Sequence, residues 1–101
     1  MDSWTFLTNH SHVLLTIARD PEIRLRDVAS QVGITERAAQ RIVSELLKEG
    51  FLEVIREGRR NRYKISASLP FRHPLERNHT VQEMLDLFTD DAQAEKRPAS
   101  N

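Results

Sequence analysis

The 101-residue sequence contains no cysteine. Disulfides, thiolate zinc sites and iron–sulfur clusters are therefore excluded. No apolar run approaches the roughly 20 residues that a membrane helix needs. The start, Met1-Asp2-Ser3-Trp4, lacks a basic stretch followed by an apolar one, so no secretory signal is expected and a cytoplasmic location is. The chain has three glycines, and none lies in a phosphate-cradling loop. Neither a nucleophile elbow nor a His-Glu-x-x-His pair is present, so an enzyme is not expected. The histidines His10, His12, His73 and His79 come without a cysteine or a tight carboxylate cluster, a weak metal signal, and His10 and His12 at i, i+2 do not share a helix face. No metal and no other cofactor is expected. Net charge is absent too: 15 Lys+Arg balance 15 Asp+Glu. That excludes a chain that is basic throughout, but leaves room for a local basic patch.

The segments that are present read in order. Thr8 or Asn9 caps a first helix whose apolar face is Val13, Leu14 and Ile17. It stops near Arg19, because Pro21 disfavours helix at Asp20. Trp4, Phe6 and Leu7, upstream, are expected to cover one end of the core. A second, short helix runs from about Arg26 to Val32, with Leu25, Val28, Ala29 and Val32 as its stripe. Gly33-Ile34-Thr35 reads as a tight turn in which Thr35 caps a third helix from Glu36 to about Glu49. At about 100° per residue, that helix puts Ala38, Ala39, Ile42, Val43, Leu46 and Leu47 on one side. Arg37, Gln40, Arg41, Ser44 and Lys48 fall on the other. A solvated polar face is the ordinary explanation of such a helix, but three cations on this face weigh against it.

After Gly50 the period changes from helical to alternating. Residues 51–56 and Arg62-Tyr63-Lys64-Ile65 read as two strands joined through Glu57-Gly58-Arg59-Arg60-Asn61. Residues 54–64 hold five cations against Glu57 alone, a local charge of +5 − 1 = +4. Residues 69–79, with Pro70 and Pro74, read as an extended connector. Thr80 and Glu83 have capping-box spacing and open a helix over residues 80–88. Its stripe is Val81, Met84, Leu85 and Phe88, widened by Leu87. Residues 89–101 show no apolar periodicity and read as a disordered tail.

The fold class that follows is mainly α with a small β-hairpin: a winged helix-turn-helix over residues 1–68, with a three-helix body, a two-stranded wing and an added C-terminal helix. Leu25-Arg26-Asp27-Val28-Ala29, Gly33-Ile34-Thr35, Leu46 to Leu52 and Glu57 to Tyr63 resemble the winged helix-turn-helix transcription regulators of the MarR and ArsR type. The resemblance covers residues 10–66. It implies that the third helix is a recognition helix and the hairpin a wing. Carried over position by position, Thr35, Glu36, Arg37, Gln40, Arg41 and Ser44 would face a DNA major groove. Arg59, Arg60, Asn61 and Arg62 would sit on or beside the wing tip.

The expected function is sequence-specific binding of double-stranded DNA by a homodimer, with Val81, Met84, Leu85, Leu87 and Phe88 as the dimerisation surface. Two alternatives stand beside it. A protein-binding or structural winged helix of a larger assembly would show an apolar or mixed face on the third helix. An RNA binder would offer aromatics for stacking, and the hairpin offers only Tyr63, on the core side of the alternation. No large ligand pocket is expected in so short a chain, and the sequence names neither an operator nor an effector.

Overall fold

The computed structural model describes residues 4–96, with side chains through residue 88. The chain falls into two compact units, Met1–Ile65 and Ser66–Asn101. The first contains α1 (Asn9–Arg19), α2 (Leu25–Val32), α3 (Glu36–Lys48) and a hairpin of β1 (Leu52–Glu57) and β2 (Arg60–Ile65). The second contains α4 (Val81–Lys96).

In the first unit the helices form because their apolar residues recur at helical spacing and meet at one centre. Val13, Leu14 and Ile17 of α1, Val28 and Ala29 of α2, and Ala39, Ile42, Val43 and Leu46 of α3 are all buried. Ile23 and Leu52 close the same core from the α1–α2 loop and the start of β1. Burying each of the larger side chains stabilises the fold by about 1.5–3 kcal/mol. The helix ends follow from single residues. Asp20 leaves α1 in extended geometry, and its carboxylate accepts from the Glu22 N–H at 3.1 Å. Gly33 ends α2 at φ +87°, a left-handed conformation that a side chain disfavours, and its N–H donates to Ala29 O at 2.8 Å. Thr35 Oγ1 accepts from the Ala38 N–H at 3.0 Å and starts α3.

β1 and β2 are antiparallel, with Leu52 opposite Ile65 and Glu57 opposite Arg60. The connection is therefore the two residues Gly58 and Arg59, not the five-residue loop expected from the sequence. Gly58 has φ +63° and Arg59 a negative φ, the pattern of a type II′ turn, which suits the twist of paired strands. Arg60 and Asn61 thus belong to β2. The Tyr63 N–H also donates to Pro21 O at 2.9 Å, which ties β2 to the α1–α2 loop.

Trp4 and Phe6 do not cover the core. They are 67% and 92% exposed and stack edge-to-face on each other, with centroids 5.1 Å apart. The core is closed without them, and the two rings pack on each other.

In the second unit the segment before α4 doubles back rather than running extended. The Phe71 N–H donates to His79 O at 3.0 Å and the Val81 N–H to Leu69 O at 3.0 Å. The prolines do fix their own φ, but the reversal takes place at residues 73–79, where the Glu76 N–H bonds His73 O and the His79 N–H bonds Glu76 O. The capping box at the start of α4 is reciprocal: the Thr80 N–H donates to Glu83 Oε1 at 2.7 Å, and the Glu83 N–H to Thr80 Oγ1 at 3.3 Å. α4 continues to Lys96, eight residues past the boundary read from periodicity. Ala92, Gln93, Ala94, Glu95 and Lys96 are strong helix formers whatever their pattern. The rest of the expected tail, residues 97–101, lies outside the described residues. Val81, Met84 and Leu85 are buried within the single chain, whereas Leu87 is 62% exposed and Phe88 half-buried.

Candidate nucleic-acid interface

α3 supplies the first part of the site. Its inner face is locked into the core, so its outer face is held in a defined place. Thr35, Glu36, Arg37, Gln40, Arg41 and Ser44 are all exposed. Arg37, Gln40, Arg41 and Ser44 follow at i, i+3, i+4 and i+7 and make one continuous stripe. Glu36 in the first turn complements the helix dipole. Thr35 already spends its hydroxyl oxygen on the Ala38 N–H, so the cap is its established role in the fold.

The hairpin supplies the second part. Arg59 lies in the turn, and Arg60, Asn61 and Arg62 follow on β2, all exposed. The register divides the charges by face. Glu57 stands opposite Arg60 and Glu53 opposite Lys64. Arg60 Nη1 lies a further 3.4 Å from Glu22 Oε1 in the α1–α2 loop. Of the five hairpin cations, Arg60 meets a carboxylate at ion-pair distance and Lys64 stands opposite Glu53 in the register, which the charge of residues 54–64 alone hid by leaving out Glu53 and Glu22. Among the described residues, Arg37, Arg56, Arg59 and Arg62 have no ion-pair partner.

The sequence reading also missed a side-chain contact into α3. His10 Nε2 lies 2.7 Å from Glu45 Oε1, and Arg41 Nη1 lies 3.3 Å from Glu45 Oε2. The hydrogen bond from His10, reinforced by the Arg41 charge, holds the Glu45 carboxyl below its ordinary range. No local pattern announces this contact, because His10 and Glu45 are 35 residues apart.

Chemically, an exposed helix bearing Arg and Gln can meet base edges, since Arg bonds guanine O6 and N7 and Gln bonds adenine N6 and N7. Arginines on a protruding turn suit phosphates or a narrow groove of strong negative potential. Among the described residues, no group of three or more His, Asp or Glu could hold a metal ion. None of the described helices is long and apolar enough to cross a membrane.

A helix, a glycine turn, a capped second helix and a two-stranded hairpin leave one reading of the architecture. The fold is a winged helix-turn-helix. Residues 7–53 match the family described as winged helix-turn-helix DNA-binding. Two solved structures resemble the winged helix-turn-helix chain. One is the PcaV transcriptional regulator from Streptomyces coelicolor in complex with its natural ligand. It is 23% identical with a TM-score of 0.51, over 93% of this chain and 71% of that one. The other is the zinc-dependent MarR family transcriptional regulator AdcR in its Zn(II)-bound state. It is 20% identical with a TM-score of 0.51, over 96% of this chain and 66% of that one. At these identities the likeness is one of fold. No curated protein matches the sequence. The family match and the fold together support a DNA-binding winged helix-turn-helix. The likeness to ArsR-type regulators rests on the sequence motifs alone.

Proposed function

We propose that this winged helix-turn-helix chain binds double-stranded DNA sequence-specifically, with α3 in the major groove and the hairpin at the adjacent minor groove. The observation that carries the reading is the exposed stripe Arg37, Gln40, Arg41 and Ser44 on a helix whose other face is fixed in the core. A helix held in this way can hold Arg and Gln in register with base edges. Thr35 and the first N–H groups of α3 lie where a helix start meets a phosphate. Glu36, exposed in the first turn, accepts from a cytosine amino group in this proposal. Arg59 and Arg62, which face no carboxylate, supply backbone contacts, and Arg60 and Asn61 lie beside them. A protein-binding winged helix is the weaker reading, because the outward face of α3 is cationic rather than apolar.

The protein acts as a homodimer in this proposal. A neutral monomer has little general attraction for a polyanion, and two copies would set two recognition helices about 34–36 Å apart. The dimer surface is placed on residues 80–88. Leu87 and Phe88 form its accessible edge, while Val81, Met84 and Leu85 support it from within. Trp4 and Phe6, both exposed, are further candidates.

Selection of bound duplexes from a random pool tests the reading. One enriched half-site, repeated at one-turn spacing, is the expected result. Binding of RNA or protein with no preference among duplexes would refute it.

A further inference from the structure

The contact between α1 and Glu45 has no part in the core, and its chemistry is unusual for its place. A carboxylate on the outer half of a helix aimed at a polyanion opposes binding. Here both of its oxygens are engaged. His10 Nε2 meets Oε1 at 2.7 Å and Arg41 Nη1 meets Oε2 at 3.3 Å. The three side chains remain 43%, 48% and 62% exposed for His10, Glu45 and Arg41, so burial does not force the arrangement. Among the described residues, this is the side-chain hydrogen bond that joins α1 to α3.

An arginine side chain is long, and ordering it costs entropy on binding. Its guanidinium carries five N–H donors in a planar fork. Glu45 engages one nitrogen and leaves the others free. Glu45 is itself held from the far side by His10, on a separate helix, so it cannot simply follow Arg41 as it moves. The result is a braced donor fork on the exposed face of α3.

We propose that Glu45, anchored by His10, is a positioning residue that fixes Arg41 for reading one base pair. The inference rests on the DNA-binding reading above. It assigns Glu45 and His10 a role in specificity without contact to DNA.

The two effects of removing Glu45 can be separated. Loss of a negative charge strengthens binding to every duplex. Loss of the brace lowers the preference at the one base pair that Arg41 reads. The test is therefore the ratio of affinities for the selected duplex and for a duplex changed at that base pair. Glu45→Ala keeps strong helix propensity, so α3 is retained. The ratio should fall by about three- to tenfold in Glu45→Ala, and in the same direction in His10→Ala. In an Arg41→Ala background, Glu45→Ala should leave the ratio unchanged, because its path to the base has gone. An unchanged ratio in Glu45→Ala alone overturns the inference. So does an equal fall with and without Arg41. If Arg41→Ala itself alters no base preference, the placement of Arg41 at a base has failed, an outcome distinct from failure of the brace.

Discussion

α3 and the hairpin carry the same kind of charge but are held by different means. α3 has Ala39, Ile42, Val43 and Leu46 sealed in the core, so its outer side chains start from a fixed backbone. The hairpin has only Leu52 buried, at its root. Beyond that point it is held by strand pairing, by the bond from the Tyr63 N–H to Pro21 O and by the exposed Arg60–Glu22 pair. Val54 and Ile55 are 40% and 41% exposed. Reading a base requires side chains placed to within about half an ångström, which packing can supply. Neutralising a phosphate tolerates looser placement, which pairing alone can supply. In the proposed DNA complex, the division of labour follows from how each element is anchored, not from how many arginines it bears.

Substitutions of single residues break or sharpen this contrast. Ile42→Ala removes core packing beneath α3 and should cost about 2–5 kcal/mol of stability, read by denaturant unfolding. Val54→Ala on the hairpin should cost less than about 1 kcal/mol. Equal losses would remove the distinction. Arg41→Ala should cost about 1–3 kcal/mol at particular base pairs, measured as relaxed preference across a panel of duplexes. Thr35→Ala removes the α3 cap and should cost about 1 kcal/mol of stability. Glu22→Gln frees Arg60 from its exposed partner. The fold should lose no more than about 1 kcal/mol, while DNA affinity rises at low salt.

The α1–α3 geometry was legible because each signal is local. Gly33 is where a positive φ is needed, and Thr35 stands three residues before the N–H that it caps. The apolar stripes of α1, α2 and α3 name the core directly. What the sequence hid depends on contacts between distant segments. The partner of Arg60, Glu22, lies on another loop and Glu53 stands opposite Lys64 on the other strand, so a window along the chain overstated the net charge of the hairpin. His10 and Glu45 share no motif. Trp4 and Phe6 look like core residues by type, but the core is already full. The extent of α4 was misjudged for a different reason. Periodicity reports burial, and Ala92 to Lys96 have high helix propensity whatever their pattern. The loop over residues 73–79 closes through backbone bonds that no residue type announces.

The homodimer is open to a direct check. Leu87→Glu places a charge on the accessible edge of α4 and should shift sedimentation equilibrium from dimer towards monomer. A full-length protein that is monomeric at high micromolar concentration would remove this part of the account.

The central claim is that α3 confers sequence preference and the hairpin confers affinity. It is tested by titrating one selected and one scrambled duplex over a range of salt concentrations. Wild type, Arg41→Ala and the double variant Arg59→Ala with Arg60→Ala are compared. The account predicts that Arg41→Ala lowers the ratio of the two affinities. The double variant should weaken both duplexes alike and reduce the log–log salt slope by roughly 0.9 for each phosphate that is no longer neutralised. A hairpin variant that loses the ratio, with an α3 variant that keeps it, would contradict the account.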